Sequence, residues 1–218
     1  MEKQGEQHYS EQSQSFGQMG QPEGPGTVHK DKNEKSEILE WLKAIVIAVV
    51  LVLLIRWLFF APFIVDGPSM QPNFHTSERI IVNKIIYDIR DPKPGEVIVF
   101  HVPLEGRDFI KRVIGVPGDT VQVEGDTVTV NGQIVDETYI KDVVDEKHKN
   151  NELYNIEANF PNQDVPDGTV PEGYVFVLGD NRSNSTDSRR IGYVSYSEIV
   201  GRADMVFWPL SDFKFIRH

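Results

Sequence analysis

Hydrophobic positions follow three regimes along the chain. From residue 1 to residue 40 they are sparse, and Gln, Glu, Gly and Ser predominate. Such a segment buries too little apolar surface to offset its conformational entropy, which predicts a disordered tail over 1–40. The pattern then becomes continuous in WLKAIVIAVVLVLLIRWLFFAPFIV, where Lys43 and Arg56 are the only charges between Trp41 and Val65. From Asp66 onward, apolar residues recur in short bursts separated by Gly, Pro, Asn and Asp.

The continuous run predicts one transmembrane helix over 41–62. Its uncharged part, Ala44 to Ile55, covers only roughly 18 Å at about 1.5 Å per residue, short for a bilayer core of about 30 Å. Trp57, Leu58, Phe59 and Phe60 prolong it, however, and the long Arg56 side chain can snorkel toward headgroups. Trp41 and Trp57 sit where interfacial anchors are expected. A cleavable leader fits less well, because the polar stretch before the run is long and Pro62 directly follows Ala61. Lys30, Lys32, Lys35 and Lys43 precede the span, so the N-terminus is expected in the cytoplasm and residues 63–218 on the outer side of the cell membrane.

The bursts after Asp66 predict a mainly β domain, an antiparallel sheet or barrel-like body. Candidate strands are Arg79 to Lys84, Glu96 to His101, Phe109 to Ile114, Val121 to Val123, Val128 to Val130, Gln133 to Val135 and Tyr174 to Leu178. The unit GDTVxV occurs twice, from Gly118 and from Gly125, and Asn131-Gly132 offers a type I′ turn, so two hairpins are expected there. Residues 142–168 are charged and weakly patterned, which reads as an exposed insertion.

Charge and composition narrow the function. A net charge of -11 without clustered Lys and Arg disfavours nucleic acid as a partner. The absence of cysteine removes disulfides and Cys-ligated metal centres. No cofactor and no metal is expected.

Three segments carry candidate chemistry. In DGPSMQPNF, Asp66 to Phe74, Ser69 lies just past the apolar run; by itself it reads as a turn residue. In DFIKRVIGVPGDTV, Asp108 to Val121, Lys111 lies inside an apolar strand whose alternation sets Phe109, Lys111 and Val113 on one face. Burial there would disfavour the ammonium and leave a neutral amine able to act as a base. A solvated lysine, or one paired with Asp108 or Glu96, is the alternative. In GDNRSNSTDSRRIG, Gly179 to Gly192, carboxylates and guanidiniums can organise a loop, with Asp180 or Asp187 pairing Arg182 or Arg189.

Taken in this order, GPSMQP, DFIKRVIGVPGD and GDNRSNSTDSR resemble the three motif boxes of the bacterial type I signal peptidases, the Ser/Lys peptidases of family S26, in their Gram-positive form. The resemblance implies a membrane-bound serine endopeptidase, signal peptidase I, that cleaves signal peptides from exported preproteins after small residues. By the same carry-over Ser69 is the nucleophile and Lys111 the general base. Ser185 would hydrogen-bond the lysine, while Asp187 and Arg189 form a supporting salt bridge and Asp180 belongs to the same loop. The first box has Gly67 where many relatives carry a hydroxyl, so the oxyanion hole falls to backbone N–H groups, chiefly that of Ser69. Val65, Phe74, Phe109 and Ile110 are candidates for shallow substrate pockets, with Gly67 and Met70 in the nucleophile box beside them. Expected partners are signal-peptide-bearing preproteins, the lipid bilayer and the export translocon. A Ser/His hydrolase using His75 or His101 lacks a nucleophile elbow. The rival from another class is a catalytically inactive membrane-tethered β-domain that binds exported polypeptides.

Overall fold

A computed structural model describes residues 31–157 and 159–217. Helix α1 spans Asp31–Phe59, and every side chain from Ile45 to Leu54 is exposed. The tail expected over 1–40 is corrected for residues 31–40, which are helical. Their Lys, Glu and Leu are good helix formers, and lengthening an existing helix needs no new nucleus. Residues 1–30 lie outside the described residues. The helix also ends earlier than residue 62, because Pro62 lacks the N–H a helix requires and biases Ala61 to an extended conformation. Among the described residues no helix is long and apolar enough to cross a membrane, so the span expected over 41–62 does not stand as drawn.

Strand β1 (Phe60–Ile64) follows directly. Then come β2 (Arg79–Asn83), a short helix α2 (Ile86–Ile89), β3 (Val97–Val102) and β4 (Arg107–Gly115). A hairpin pair follows as β5 (Val121–Glu124), β6 (Thr127–Val130) and β7 (Gln133–Ile134), then helix α3 (Lys141–Lys149). The chain closes with β8 (Tyr174–Leu178), α4 (Ser188–Ile191), β9 (Val194–Ser195), β10 (Ile199–Trp208) and β11 (Lys214–Phe215). The larger sheet runs β1-β2-β10-β3-β4-β8-β9 with β11 attached to β10, and the smaller runs β5-β6-β7; the strand pairs are antiparallel.

All seven expected strands are present, and Asn131 and Gly132 both adopt positive φ, as the type I′ turn requires. The central strand β10 was not anticipated. Its register against β2 shifts twice, and Arg202 and Asp204 interrupt its apolar residues, so the period-two pattern is lost to bulges.

Strand β3 has both faces covered. Val97 and Val99 join one core with Met70, Phe74, Ile80 and Val82, while Ile98, Phe100 and Val102 join another with Phe109, Val113 and Val177. Neighbouring β4 therefore runs through the interior, which places its two consecutive cations, Lys111 and Arg112, at 3% and 4% exposure.

The insertion expected over 142–168 is exposed along most of its length but carries structure of its own. Part of it is α3, and Phe160 is buried, bridges Val123 and stacks 4.4 Å from Phe176 between ring centroids. A lone aromatic among polar neighbours gives no periodic signal, although it seals the third core cluster with Val121, Val170 and Leu178. Truncating Phe160 to Ala should cost about 3–5 kcal/mol by denaturant unfolding, as for other fully buried aromatics. A loss below about 1 kcal/mol would return this segment to the status of a surface loop.

Candidate active site

The loop that carries Ser69 is held at both ends. Val65 N donates to Glu78 O at 2.8 Å and Ser77 N donates to Val65 O at 2.9 Å, closing its base. Met70 and Phe74 are buried as pegs beneath it, at 0% and 1% exposure. The Ser69 carbonyl accepts from Asn181 N at 3.0 Å, and the Asn181 side-chain amide donates to Pro68 O at 3.2 Å. Gly67 has φ of 89°, a left-handed conformation that disfavours side chains, so the residue type is fixed by backbone geometry. The Ser69 N–H meets no acceptor among the described residues.

Strand alternation delivers Lys111 to this serine. Its Nζ lies 2.8 Å from Ser69 Oγ and donates to Ile110 O at 2.8 Å. The Phe109 ring lies on the same side, 5.1 Å from Nζ to its centroid. Neither alternative partner reaches the lysine: Asp108 pairs with His101, and Glu96 pairs with Arg90 and Arg202. Burial pushes the amine down to about 8, although the Asp187 and Asp180 carboxylates act in the opposite sense and Arg107 adds slightly to the depression.

Both carboxylates are matched by guanidiniums. Asp187 accepts from Arg189 Nε at 2.8 Å and Nη2 at 2.9 Å, and from Gly179 N at 3.0 Å. Burial pushes its carboxyl up, but the Arg189 and Gly179 donors outweigh this and hold it below the usual range. Asp180 is taken by Arg112, through Nε at 2.9 Å and Nη2 at 2.8 Å, rather than by Arg182 or Arg189. Arg182 instead pairs with Glu137 and donates to Gly179 O at 3.0 Å. A Cβ at Gly179 would lie 2.1 Å from Ser185 Oγ and 2.6 Å from Ser69 O, so only glycine lets the loop approach Ser69 this closely.

A cleft opens at the dyad, walled by Ile64, Val65, Gly67, Phe109 and Ile110, with Asn184 and Thr186 opposite. Val65, Gly67, Phe109 and Ile110 thus line the cleft beside Ser69 and Lys111. Met70 and Phe74 do not: they face the core beneath the loop, because their apolar bulk stabilises the loop from below. Ser185 is likewise corrected in its contact. It is buried at 6% exposure beside Gly179, where its hydroxyl helps hold the Asp187 carboxyl below the usual range, and the Lys111 amine bonds Ser69 and Ile110 instead. Sequence reasoning missed Asn181 and Tyr154, whose hydroxyl donates to Asp180 O at 2.9 Å. Asn181 lies inside the third motif and could have been found there; Tyr154 lies in the segment read as exposed. Among the described residues no cluster of His, Asp and Glu is placed to hold a metal ion.

A family model described as signal peptidase, peptidase S26, matches residues 38–208. Signal peptidase I of Bacillus amyloliquefaciens is 41% identical over 183 residues, covering 84% of this chain and 94% of that protein. Signal peptidase IB of Staphylococcus aureus (strain MRSA252) is 39% identical over 185 residues, covering 83% and 94%. A crystal structure of a signal peptidase I from Enterococcus faecalis V583 is 36% identical, with a TM-score of 0.47 over 52% of this chain and 97% of that one.

With burial holding the Lys111 amine near 8, its neutral fraction grows as pH rises through that value. Peptide-cleavage kcat/KM should therefore climb about tenfold per pH unit on the acidic side and level off above the transition. A profile already flat from about pH 6 upward would contradict a lysine base with that depressed value.

Proposed function

The chain belongs to peptidase family S26, the signal peptidases, and we propose that Ser69 and Lys111 carry out its cleavage chemistry. The activity is serine endopeptidase cleavage of signal peptides from exported preproteins. An inactive β scaffold finds no support among relatives named as peptidases. The observation that carries the residue assignment is the 2.8 Å approach of Lys111 Nζ to Ser69 Oγ in a buried setting.

A serine hydroxyl is a weak nucleophile until a base removes its proton, and an amine serves only when neutral. The neutral Lys111 amine can donate to Ile110 O, which turns its lone pair toward Ser69 Oγ. Oγ then attacks the scissile carbonyl carbon as its proton passes to Nζ. The oxygen of the tetrahedral intermediate accepts from the free Ser69 N–H. Collapse returns the proton from Nζ to the departing amine, releasing the mature protein. Water deprotonated by Lys111 then hydrolyses the acyl-serine and frees the signal peptide. Val65, Phe109 and Ile110 provide an apolar lining suited to the small side chains before the cut.

Membrane attachment belongs to the same reading. From Ile45 to Leu54 helix α1 is apolar on every face and exposed throughout, which calls for an apolar solvent. Phe60, Ile64, Trp208, Leu210, Phe213 and Phe215 are further exposed apolar side chains on β1 and at the chain's C-terminal end. Anchoring concentrates the enzyme where signal peptides reside, with lipid and the export machinery as neighbours and the peptidase domain on the outer side. The expected orientation follows Lys30, Lys32, Lys35 and Lys43, which precede the uncharged part of the apolar run.

Ser69→Ala and Lys111→Met should each lower preprotein cleavage by a factor of about 10³ or more while leaving the thermal transition within a few degrees. Cleavage by Lys111→Met at the wild-type rate would exclude the dyad. In fractionated cells the full chain should stay with membranes through alkaline carbonate washing and enter solution with detergent. Its recovery in the carbonate wash would argue against α1 as a bilayer anchor.

A further inference from the structure

We infer that Asn155 is a positioning residue of the active site, acting on the dyad through Arg189; this rests on the Ser69/Lys111 reading above. Asn155 lies outside all three motifs, in the segment whose composition suggests an exposed insertion, yet it is buried at 2% exposure. Its backbone N donates to Asp126 Oδ1 at 2.6 Å and its side-chain amide donates to Gly125 O at 2.6 Å, so the turn between β5 and β6 fixes its orientation. That leaves Oδ1 to accept from Arg189 Nη1 at 2.8 Å.

The guanidinium geometry explains why this acceptor matters. Arg189 directs Nε and Nη2 to Asp187 and also donates from Nη2 to Arg182 O at 2.8 Å. Nη1 is the remaining arm, and Asn155 is its partner. A planar fork held at all three nitrogens keeps one orientation; without Asn155 its Nη1 is left buried with no acceptor, which loosens the hold on Asp187. Asp187 in turn orients Gly179, whose backbone packs against Ser69 O and Ser185. The neighbouring residues reinforce the link: Tyr154 OH donates to Asp180 O, and Ile156 N donates to Ser183 Oγ at 3.2 Å.

The groups acting on the Lys111 charge are Asp187, Asp180 and Arg107, and the first two favour the ammonium. Loosening Arg189 leaves more of the Asp187 charge uncompensated, which makes Lys111 harder to deprotonate. The effect should appear in the base's ionisation and in kcat, not in substrate affinity.

The test uses the full chain in detergent with a preprotein substrate, comparing Asn155→Leu, which keeps the volume without the acceptor, and Asn155→Ala. Making both supplies a folded variant without the acceptor if one of them misfolds, with folding checked by circular dichroism. At pH 7 kcat should fall about threefold or more with KM changed less than about twofold, and the acidic limb of kcat/KM should move up by about 0.5 pH unit or more. Glu152→Gln removes the exposed pair with Lys147 in the same segment but touches none of the Asn155 contacts, and its limb should coincide with wild type. A superimposable profile in a folded Asn155 variant, or an equal displacement by Glu152→Gln, overturns the inference. Lys111→Met, assayed alongside, separates the two levels: activity there removes the dyad itself, whereas inactivity there with an unshifted Asn155 profile removes only the role of Asn155.

Discussion

A lysine whose charge is disfavoured by burial inside a sheet is the constraint around which this domain is organised. Burying an ammonium without a partner is costly, and two buried carboxylates nearby would by themselves restore the charge. Arg189 and Arg112 prevent that by pairing Asp187 and Asp180. Ion pairs of this kind are poor evidence for added stability, because desolvation consumes most of the Coulomb gain. Here their consequence is local: each carboxylate can hold backbone in place without acting on the base as a bare negative charge.

Two consecutive residues of β4 illustrate how sheet geometry separates these tasks. Lys111 and Arg112 point to opposite faces, one toward Ser69 and the other toward Asp180 and the face of Tyr139. A guanidinium stays charged at any accessible pH, so Arg112 serves as a permanent counterion and could never replace the base. The amine can lose its proton because burial outweighs the opposing pull of Asp187 and Asp180. A register slip of one residue would exchange the two side chains and put the permanent cation beside the serine. Pairing of β4 with both β3 and β8 excludes that slip.

Much of this was legible in the sequence, and the failures share a physical origin. Strand periodicity identified the elements with regular alternation and placed Lys111 on the right face. Burial of the strand decided what periodicity left open, since an alternating lysine is equally compatible with water. β10 was lost because bulges erase the period, although it joins the two halves of the larger sheet. Phe160 and Asn155 were hidden because single buried residues in a polar segment leave no pattern. Ser185 was assigned a contact by resemblance, and the hydroxyl lies buried without it. Met70 and Phe74 stand within or beside the nucleophile box yet support it from the core, so proximity in sequence overstated their access to substrate.

The active site consequently has no local existence. Ser69 and Lys111 are 42 positions apart, and the residues that fix them come from the hairpin at Gly125, the stretch around Asn155 and the loop from Gly179 to Arg189. Neutralising the base needs burial, burial needs β3, β4 and β8 assembled, and cancelling the Asp187 charge needs Arg189 in place. Partial structures lack at least one of these conditions, so Ser69 and a buried Lys111 meet only in the assembled domain.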